Sequence, residues 1–150
     1  MQSQDNKENR KIGFEIKSAN NLVRRRLDIY FAKAGVDEIS GVQGPMLRYI
    51  NDYSKERDVF QRDLEKEFHI RRSTATVLLQ NMEQKGYIRR EPVERDARLK
   101  KIVVTDKAVK ADQAIRKQLD AFNEELEAGI TREEKEVFLK ILDKIMQNLV

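Results

Sequence analysis

The chain has 150 residues, of which 39% are hydrophobic and 37% charged, and its formal net charge is +4. This length suits one modest domain, and the sequence has no run of eighteen or more apolar residues and no apolar N-terminal segment, so we expect a cytoplasmic protein without a membrane span or secretory signal. Cysteine is absent, which excludes disulfides, thiolate metal ligands and cysteine-based oxidant sensing.

The basic residues are concentrated in the middle of the chain. Residues 60–104 carry 11 Lys and Arg against 7 Asp and Glu, whereas residues 105–150 carry 8 against 10. Phosphates would repel the acidic C-terminal part, so we expect any nucleic-acid-binding surface to lie in the middle. Composition alone is also compatible with a solvated charge pattern that has no such role.

The N-terminal part is predicted to be a flexible segment followed by a long helix. Residues 1–11 are polar and show no packing pattern, so we expect them to be flexible. Apolar residues then recur at intervals of three and four over residues 12–34, which predicts an amphipathic helix that ends near Gly35. The basic cluster Arg24–Arg26 on this helix is compatible with a solvated face or with contacts to a DNA backbone.

Two further helices are predicted before residue 70. The second helix is expected to run from an N-cap at Ser40 to about Tyr53. A short third helix, Gln61–Phe68, is expected to open a helix-turn-helix. His69 follows it and is interpreted as a left-handed turn residue, because histidine is one of the few non-glycine types enriched in that region. A metal role is disfavoured, since a protein zinc site normally needs three or four donors.

The fourth predicted helix, residues 71–85, has one apolar face and one uncharged polar face. The apolar stripe consists of Ala75, Leu78, Leu79 and Met82. The opposite face consists of Ser73, Thr76, Val77, Gln80 and Gln84. Such a face suits a helix in the DNA major groove, where hydroxyl and amide groups read base edges. Arg71 stands where a capping side chain is usual, which is expected to cost about 1 kcal/mol, and Gly86 is expected to end the helix.

Two strands are predicted next, at residues 87–90 and 101–104, and they form a hairpin, or wing. The ten residues between them, EPVERDARLK, are expected to form a loop that is too polar and too interrupted by proline to pack. The tip carries three cations, Arg95, Arg98 and Lys100. The Asp96 carboxylate is expected to orient the guanidinium of Arg98, which would enter the minor groove.

Two helices are predicted after the wing. Thr105 is expected to cap the first, which Gly129 closes, and a Thr131/Glu134 capping box opens the second. The apolar band of the last helix is wider than one small core needs. We therefore expect it to form a dimer interface with the first helix. The predicted interface residues are Phe14, Ile16, Phe138, Ile141, Leu142, Ile145 and Leu149.

Taken in order, these motifs resemble the MarR family of winged helix-turn-helix regulators. The resemblance rests on QRDLEKEF, RRSTATVLLQNMEQKGYIRR, the wing signature Asp96-x-Arg98 and the exit VVTDKA, and it covers residues 12–149. His69 stands where the family usually has glycine, and Val77 and Asn81 stand where many members have arginine, which leaves the operator sequence open.

The resemblance implies a mainly α fold with a small β-hairpin (α+β) in a single domain, residues 12–150. A winged helix-turn-helix lobe, residues 40–105, would be flanked by dimerisation helices at residues 12–34 and 106–150. The implied partners are double-stranded DNA with a pseudo-palindromic operator and a second copy of the chain. The predicted DNA contacts are Arg71, Arg72, Ser73, Thr74, Thr76, Val77, Gln80, Arg95, Asp96, Arg98 and Lys100.

The resemblance also implies a ligand cleft where the dimerisation helices meet the DNA-binding lobe. Its candidate lining residues are Leu22, Arg26, Tyr30, Met46, Leu47 and Ile50. Each of these residues is equally compatible with an ordinary core position. If the cleft exists, its apolar walls and Arg26 favour a small amphipathic or anionic organic effector, and no cofactor or metal is expected.

An enzyme is disfavoured, because the sequence has no glycine-rich phosphate loop, no metal-ligand spacing and no cysteine, and one turn histidine cannot make a catalytic triad. A winged-helix module that docks proteins is the alternative, since folds do not fix function. A docking surface would more often expose apolar or aromatic residues than a polar helix face and a cationic wing. The sequence therefore favours a homodimeric, sequence-specific transcription regulator, a repressor released by a small molecule.

Overall fold

The computed structural model describes residues 9–36, 38–39 and 41–150. Within these ranges the chain forms six helices and one two-stranded hairpin. The elements are α1 (Ile12–Lys33), α2 (Gln43–Tyr53), α3 (Gln61–Glu67), α4 (Arg72–Gln84), β1 (Ile88–Val93), β2 (Asp96–Val104), α5 (Asp106–Leu126) and α6 (Arg132–Leu149). The predicted fold class is confirmed. The predicted flexibility of residues 1–8 and the predicted cap at Ser40 lie outside the described residues.

The core forms where α1 and α2 pack against α5. Helix α1 buries only Leu27 and Phe31, and the apolar residues near its N-terminus are exposed. Gly44 allows α2 to approach α1 closely, since a Cβ atom there would lie 2.8 Å from Cζ of Phe31. The buried cluster that joins the helices to the hairpin includes Phe31, Met46, Leu47, Ile50, Leu64, Leu79, Ile88, Ile102 and Ile115.

The helix-turn-helix forms as its local sequence predicts. His69 has a φ of +49°, so its interpretation as a left-handed turn residue is confirmed. Arg71 stands at the N-cap of α4 in extended conformation and makes no side-chain capping hydrogen bond. Gly86, with a φ of +80°, turns the chain from α4 into the wing.

The wing is longer than the sequence predicts. Strand pairing runs from Ile88↔Val104 to Pro92↔Lys100, and after an irregularity Val93 pairs with Asp96. The prediction of a long unpaired loop is therefore wrong, because only residues 94–95 form the turn. Among the described residues β1 pairs with β2 alone, so Pro92, which has no N–H, lies on an edge strand beside the register shift, where proline is tolerated.

Helix α6 is capped as predicted but lies apart from the core. Thr131 Oγ1 accepts a hydrogen bond from the Glu134 N–H at 3.1 Å, and the Glu134 carboxylate accepts from the Thr131 N–H at 2.9 Å. None of the residues of α6, all of which the structure describes, is buried. Phe138 is 62% exposed and Ile141 48% exposed. Within the described residues, no helix combines the length and apolarity needed to cross a membrane.

Candidate nucleic-acid interface

The outer face of α4 is open to solvent and carries most of the side chains predicted to read bases. Ser73, Thr74 and Gln80 are exposed, and Val77 is 65% exposed. The opposite face buries Ala75, Leu79 and Met82. Because the apolar stripe packs inward, the uncharged polar stripe faces outward, as its helical period predicts.

Thr76 differs from the other predicted reading residues because its hydroxyl is engaged within the protein. Thr76 Oγ1 donates to the carbonyl of Arg72 at 2.8 Å and accepts a hydrogen bond from Nε2 of Gln61 at 2.9 Å. The one hydroxyl proton of Thr76 is therefore already used in a hydrogen bond to the helix backbone. Thr76 anchors α3 to α4, a role that the sequence did not indicate.

A groove with a cavity of about 640 Å³ separates α4 from the wing. Arg72 and Gln80 line its helix side, and Arg98 and Lys100 line its wing side. Glu83 and Arg90 also line the groove, and they form an ion pair with an Nε to Oε2 distance of 3.3 Å. The groove therefore brings cations that were predicted to contact DNA, from both α4 and the wing, to one concave surface. Such a surface suits the polyanionic backbone of DNA.

At the wing tip, the Asp96 carboxylate accepts a hydrogen bond from the backbone N–H of Arg98 at 2.9 Å. The prediction that this carboxylate orients the Arg98 guanidinium is wrong, because the contact is made by the main chain. Asp96 instead shapes the start of β2, in the manner of an Asx turn. The Arg95 guanidinium lies 5.7 Å from the centre of the Phe60 ring, so this cation folds back towards α3.

The inner side of α4 is held by polar contacts that the sequence did not reveal. Gln43, only 4% exposed, donates from Nε2 to Oδ1 of Asn81 at 3.0 Å. At the C-terminal end of α4, the Lys85 ammonium donates to the carbonyl of Glu38 at 2.8 Å. The Glu38 carboxylate accepts from the Tyr87 hydroxyl at 2.9 Å, and this hydrogen bond, with Lys107 nearby, lowers the pKa of Glu38.

The residues that were predicted to line a ligand cleft lie in two different places in the structure. Met46, Leu47 and Ile50 are completely buried core residues. Leu22 and Arg26 instead line an open cavity of about 410 Å³ between α1 and α5, whose other lining residues are Ala19, Val23, Phe122, Glu125 and Leu126. The two groups are separated because the three α2 residues are enclosed in the core, whereas the cavity between α1 and α5 is open to solvent.

The charge of Arg26 is balanced by a residue that is distant in the sequence. Arg26 Nη1 lies 3.1 Å from Oε1 of Glu125. The hydroxyl of Tyr30 donates to the same carboxylate, and this hydrogen bond raises the pKa of the tyrosine. Among the described residues, no group of three or more His, Cys, Asp or Glu side chains is placed to hold a metal ion.

The sequence and the fold match a known family of proteins. The MarR family model matches residues 38–99, which run from the turn before α2 into the wing. The MarR transcription regulator of Oenococcus oeni is 35% identical, with a TM-score of 0.74, and the match covers 91% of this chain and 99% of that chain. The chain belongs to the MarR family. As MarR family proteins are DNA-binding transcription regulators and not enzymes, the predicted regulator class is confirmed.

Two other proteins are similar to this chain over different lengths. The uncharacterised HTH-type transcriptional regulator YybA of Bacillus subtilis is 28% identical over 91 residues, and this match spans 61% of each protein. MepR of S. aureus, solved in complex with DNA, is 22% identical with a TM-score of 0.81, and the match covers 93% of this chain and 97% of that chain. At that identity the likeness to MepR shows a shared fold alone.

Proposed function

We propose that this MarR family protein is a homodimeric, sequence-specific repressor that a small organic ligand releases from its operator. The observation that carries the proposal is the juxtaposition of the uncharged outer face of α4 with the cationic groove beside the wing. A helix that reads bases needs hydrogen-bonding side chains at its centre and cations at its margins. This surface has both. The wild-type protein is accordingly expected to enrich one pseudo-palindromic sequence from random duplex DNA.

Within this surface we assign different roles to the side chains of α4. Ser73, Val77 and Gln80 are exposed and are proposed to contact base edges. Arg71 and Arg72, at the start of the helix, are proposed to contact phosphates and thereby to fix its register without specifying sequence. Thr76 contributes by holding Gln61 and the helix backbone.

We further propose that α1, α5 and α6 form the dimerisation region and that residues 40–105 form the DNA-binding lobe. The exposed apolar faces of α1 and α6 support this division, since Phe14 is 72% exposed and Phe138 62% exposed. A self-complementary face of this kind favours a two-fold dimer. Its two recognition helices would then read half-sites about one helical turn, roughly 10–10.5 base pairs, apart.

The proposed roles on α4 predict different effects for two substitutions. Gln80→Ala is expected to relax preference at one base pair by about tenfold, because it removes a contact to a base edge. Arg72→Gln is expected to weaken binding to all sequences and to reduce the slope of log affinity against log salt by about 1, because it removes a phosphate contact. Selection from random duplexes, followed by binding measurements at several salt concentrations, separates the two effects.

The reverse pattern, a sequence-independent loss for Gln80→Ala and a changed base preference for Arg72→Gln, would contradict the docking of α4. A wild-type protein that enriches no sequence would overturn the proposed function and favour the protein-docking alternative.

The effector is proposed to bind in the cavity between α1 and α5. Leu22 and Leu126 are exposed there, which favours a ligand with an apolar body. Because Glu125 already pairs with Arg26, an anionic ligand would have to compete with that carboxylate for the guanidinium. An aromatic acid or a phenol has an apolar body and a group that can compete for the guanidinium, so it fits this cavity better than a metal ion does. Such a ligand can release DNA only if it binds more tightly to a dimer whose recognition helices are wrongly spaced.

At least one aromatic acid or phenol is expected to weaken operator binding, whereas zinc and peroxide are expected to have no specific effect. Leu22→Asn is expected to blunt the response, because it places a polar group on the apolar wall. Ile29→Asn is the matched control, since Ile29 is also exposed on α1 but does not line the cavity. Operator affinity across the panel tests this, and a reversible response to zinc alone would contradict it.

A further inference from the structure

Arg90 differs from its neighbour Arg89 in where its side chain lies. The two side chains alternate across β1, as successive strand residues do, and the Arg90 side chain is 28% exposed whereas that of Arg89 is 65% exposed. The Arg90 Nε lies 3.3 Å from the Glu83 carboxylate near the end of α4. Its Nη1 also donates to Oε1 of Gln61, at the start of α3, over 3.5 Å. One guanidinium therefore contacts both helices of the helix-turn-helix.

Gln61 extends this connection into the first half of α4. Its Nε2 donates to the Thr76 hydroxyl at 2.9 Å and to the Arg72 carbonyl at 3.3 Å. Thr76 in turn donates to the same carbonyl at 2.8 Å. The wing strand is thereby joined to α4 at two places, through Glu83 near its C-terminal end and through Gln61 near its N-terminal end.

We propose that Arg90 and Gln61 are positioning residues for DNA binding, and that they form a brace that fixes the distance between α4 and the wing. The inference rests on the proposed function, in which α4 reads base edges, and on the prediction from the sequence that Arg98 of the wing enters the minor groove. Both contacts form together only if the spacing between the two elements matches the spacing of the grooves. A fixed spacing avoids the conformational entropy that a loosely attached wing would lose on binding.

The geometry favours this role over a direct phosphate contact by Arg90. Two of the guanidinium nitrogens are already directed to Glu83 and Gln61, and a phosphate would have to displace a carboxylate. A planar guanidinium can address two acceptors at once, whereas the ammonium of lysine is a single point charge on a flexible stem. Substitution of Arg90 by lysine therefore separates the two roles, because a phosphate contact tolerates the change and a brace does not.

The first test uses Arg90→Lys and Glu83→Gln on a duplex that the wild-type protein has enriched from random DNA. Arg90→Lys is expected to weaken binding about tenfold although the charge is retained, because the bridging contacts are lost. Glu83→Gln is also expected to weaken binding. Glu65→Gln is the matched control, since Glu65 lines the same groove and its substitution reports the general effect of removing one negative charge near DNA.

The second test asks whether the brace acts through the wing. In an Arg98→Ala background the wing has already lost the cation that was predicted to enter the minor groove, so Arg90→Lys is expected to cost less than about twofold in affinity there. Gln61→Ala is expected to behave in the same way. Thermal melting of each variant shows whether a loss of binding comes from unfolding or from a changed spacing between α4 and the wing. If a larger substitution unfolds the protein, the isosteric variant Glu83→Gln still tests the brace.

The brace is overturned if Arg90→Lys binds as tightly as the wild type. It is also overturned if Glu83→Gln changes binding in the same direction and by the same factor as the control Glu65→Gln, or if the effects of Arg90→Lys and Arg98→Ala simply add. If the wild type enriches a DNA sequence and any of these outcomes is observed, the brace is overturned but the proposed function is not. A wild type that enriches no DNA overturns the proposed function and the brace together.

Discussion

Phe138→Asp is expected to convert the protein into a monomer and to weaken operator binding by about 100-fold or more, because the second half-site then loses the advantage of effective concentration. Phe138 lies on α6 and is 62% exposed, although a large aromatic side chain gains most when it is buried. An unpaired carboxylate cannot be buried in an apolar interface without a large desolvation cost. Sedimentation velocity at about micromolar concentration measures the first effect, and titration of the enriched duplex measures the second.

Gln147→Asp is the matched control for this substitution. Gln147 is exposed on the opposite side of α6, because nine residues at about 100° each bring it half a turn away from Phe138. The control adds the same charge to the same helix, and we expect it to remain dimeric with unchanged affinity. A Phe138→Asp protein that stays dimeric, or a wild type that sediments as a monomer, would show that α6 does not form the interface.

Asp112→Ala is expected to lower the free energy of unfolding by about 2 kcal/mol, because it breaks a buried polar network. Asp112 is 2% exposed, and its Oδ2 accepts from Asn51 Nδ2 at 2.8 Å and from Arg116 Nε at 2.8 Å. Arg116 also pairs with Asp52 at the end of α2, and these carboxylates raise the pKa of the guanidinium. The network therefore ties α2 to α5, and its loss leaves the buried Asn51 amide without its acceptor.

Two features keep the expected loss of unfolding free energy near the lower end of the range for a broken buried ion pair. The Arg116 side chain is 33% exposed, so water can partly replace the lost carboxylate. Among the described residues, Asp112 Oδ1 has no hydrogen-bond partner, so its removal relieves a desolvation cost. Asp112→Asn keeps one acceptor and is expected to lose less than Asp112→Ala does.

Urea denaturation of Asp112→Ala beside Asp120→Ala measures this effect. Asp120 is an exposed carboxylate on the same helix, so its substitution is expected to change stability by less than about 0.5 kcal/mol. Equal stabilities for the two variants would show that the buried network does not contribute. A loss confined to Asp112→Ala would identify this network as an anchor of α2, which also holds α4 through Gln43.

The sequence by itself determined the elements and several of their ends. The turn at His69, the cap at Thr105 and the capping box at Thr131 all form as predicted. These features depend on residues within about four positions of one another, so the local sequence determines them directly. The inward and outward faces of α4 also followed from its period, as did the wide apolar band of α6.

Only the tertiary structure decided which side chains meet across elements. Pairing with β2 extended the wing past Pro92, the approach of α3 to α4 engaged Thr76 with Gln61, and the packing of α1 on α5 paired Arg26 with Glu125. The same packing buried Met46, Leu47 and Ile50 apart from Leu22, so the predicted ligand residues do not form one site. Such contacts depend on how helices and strands cross, and crossing geometry is set by packing of the whole core, which local sequence patterns do not encode.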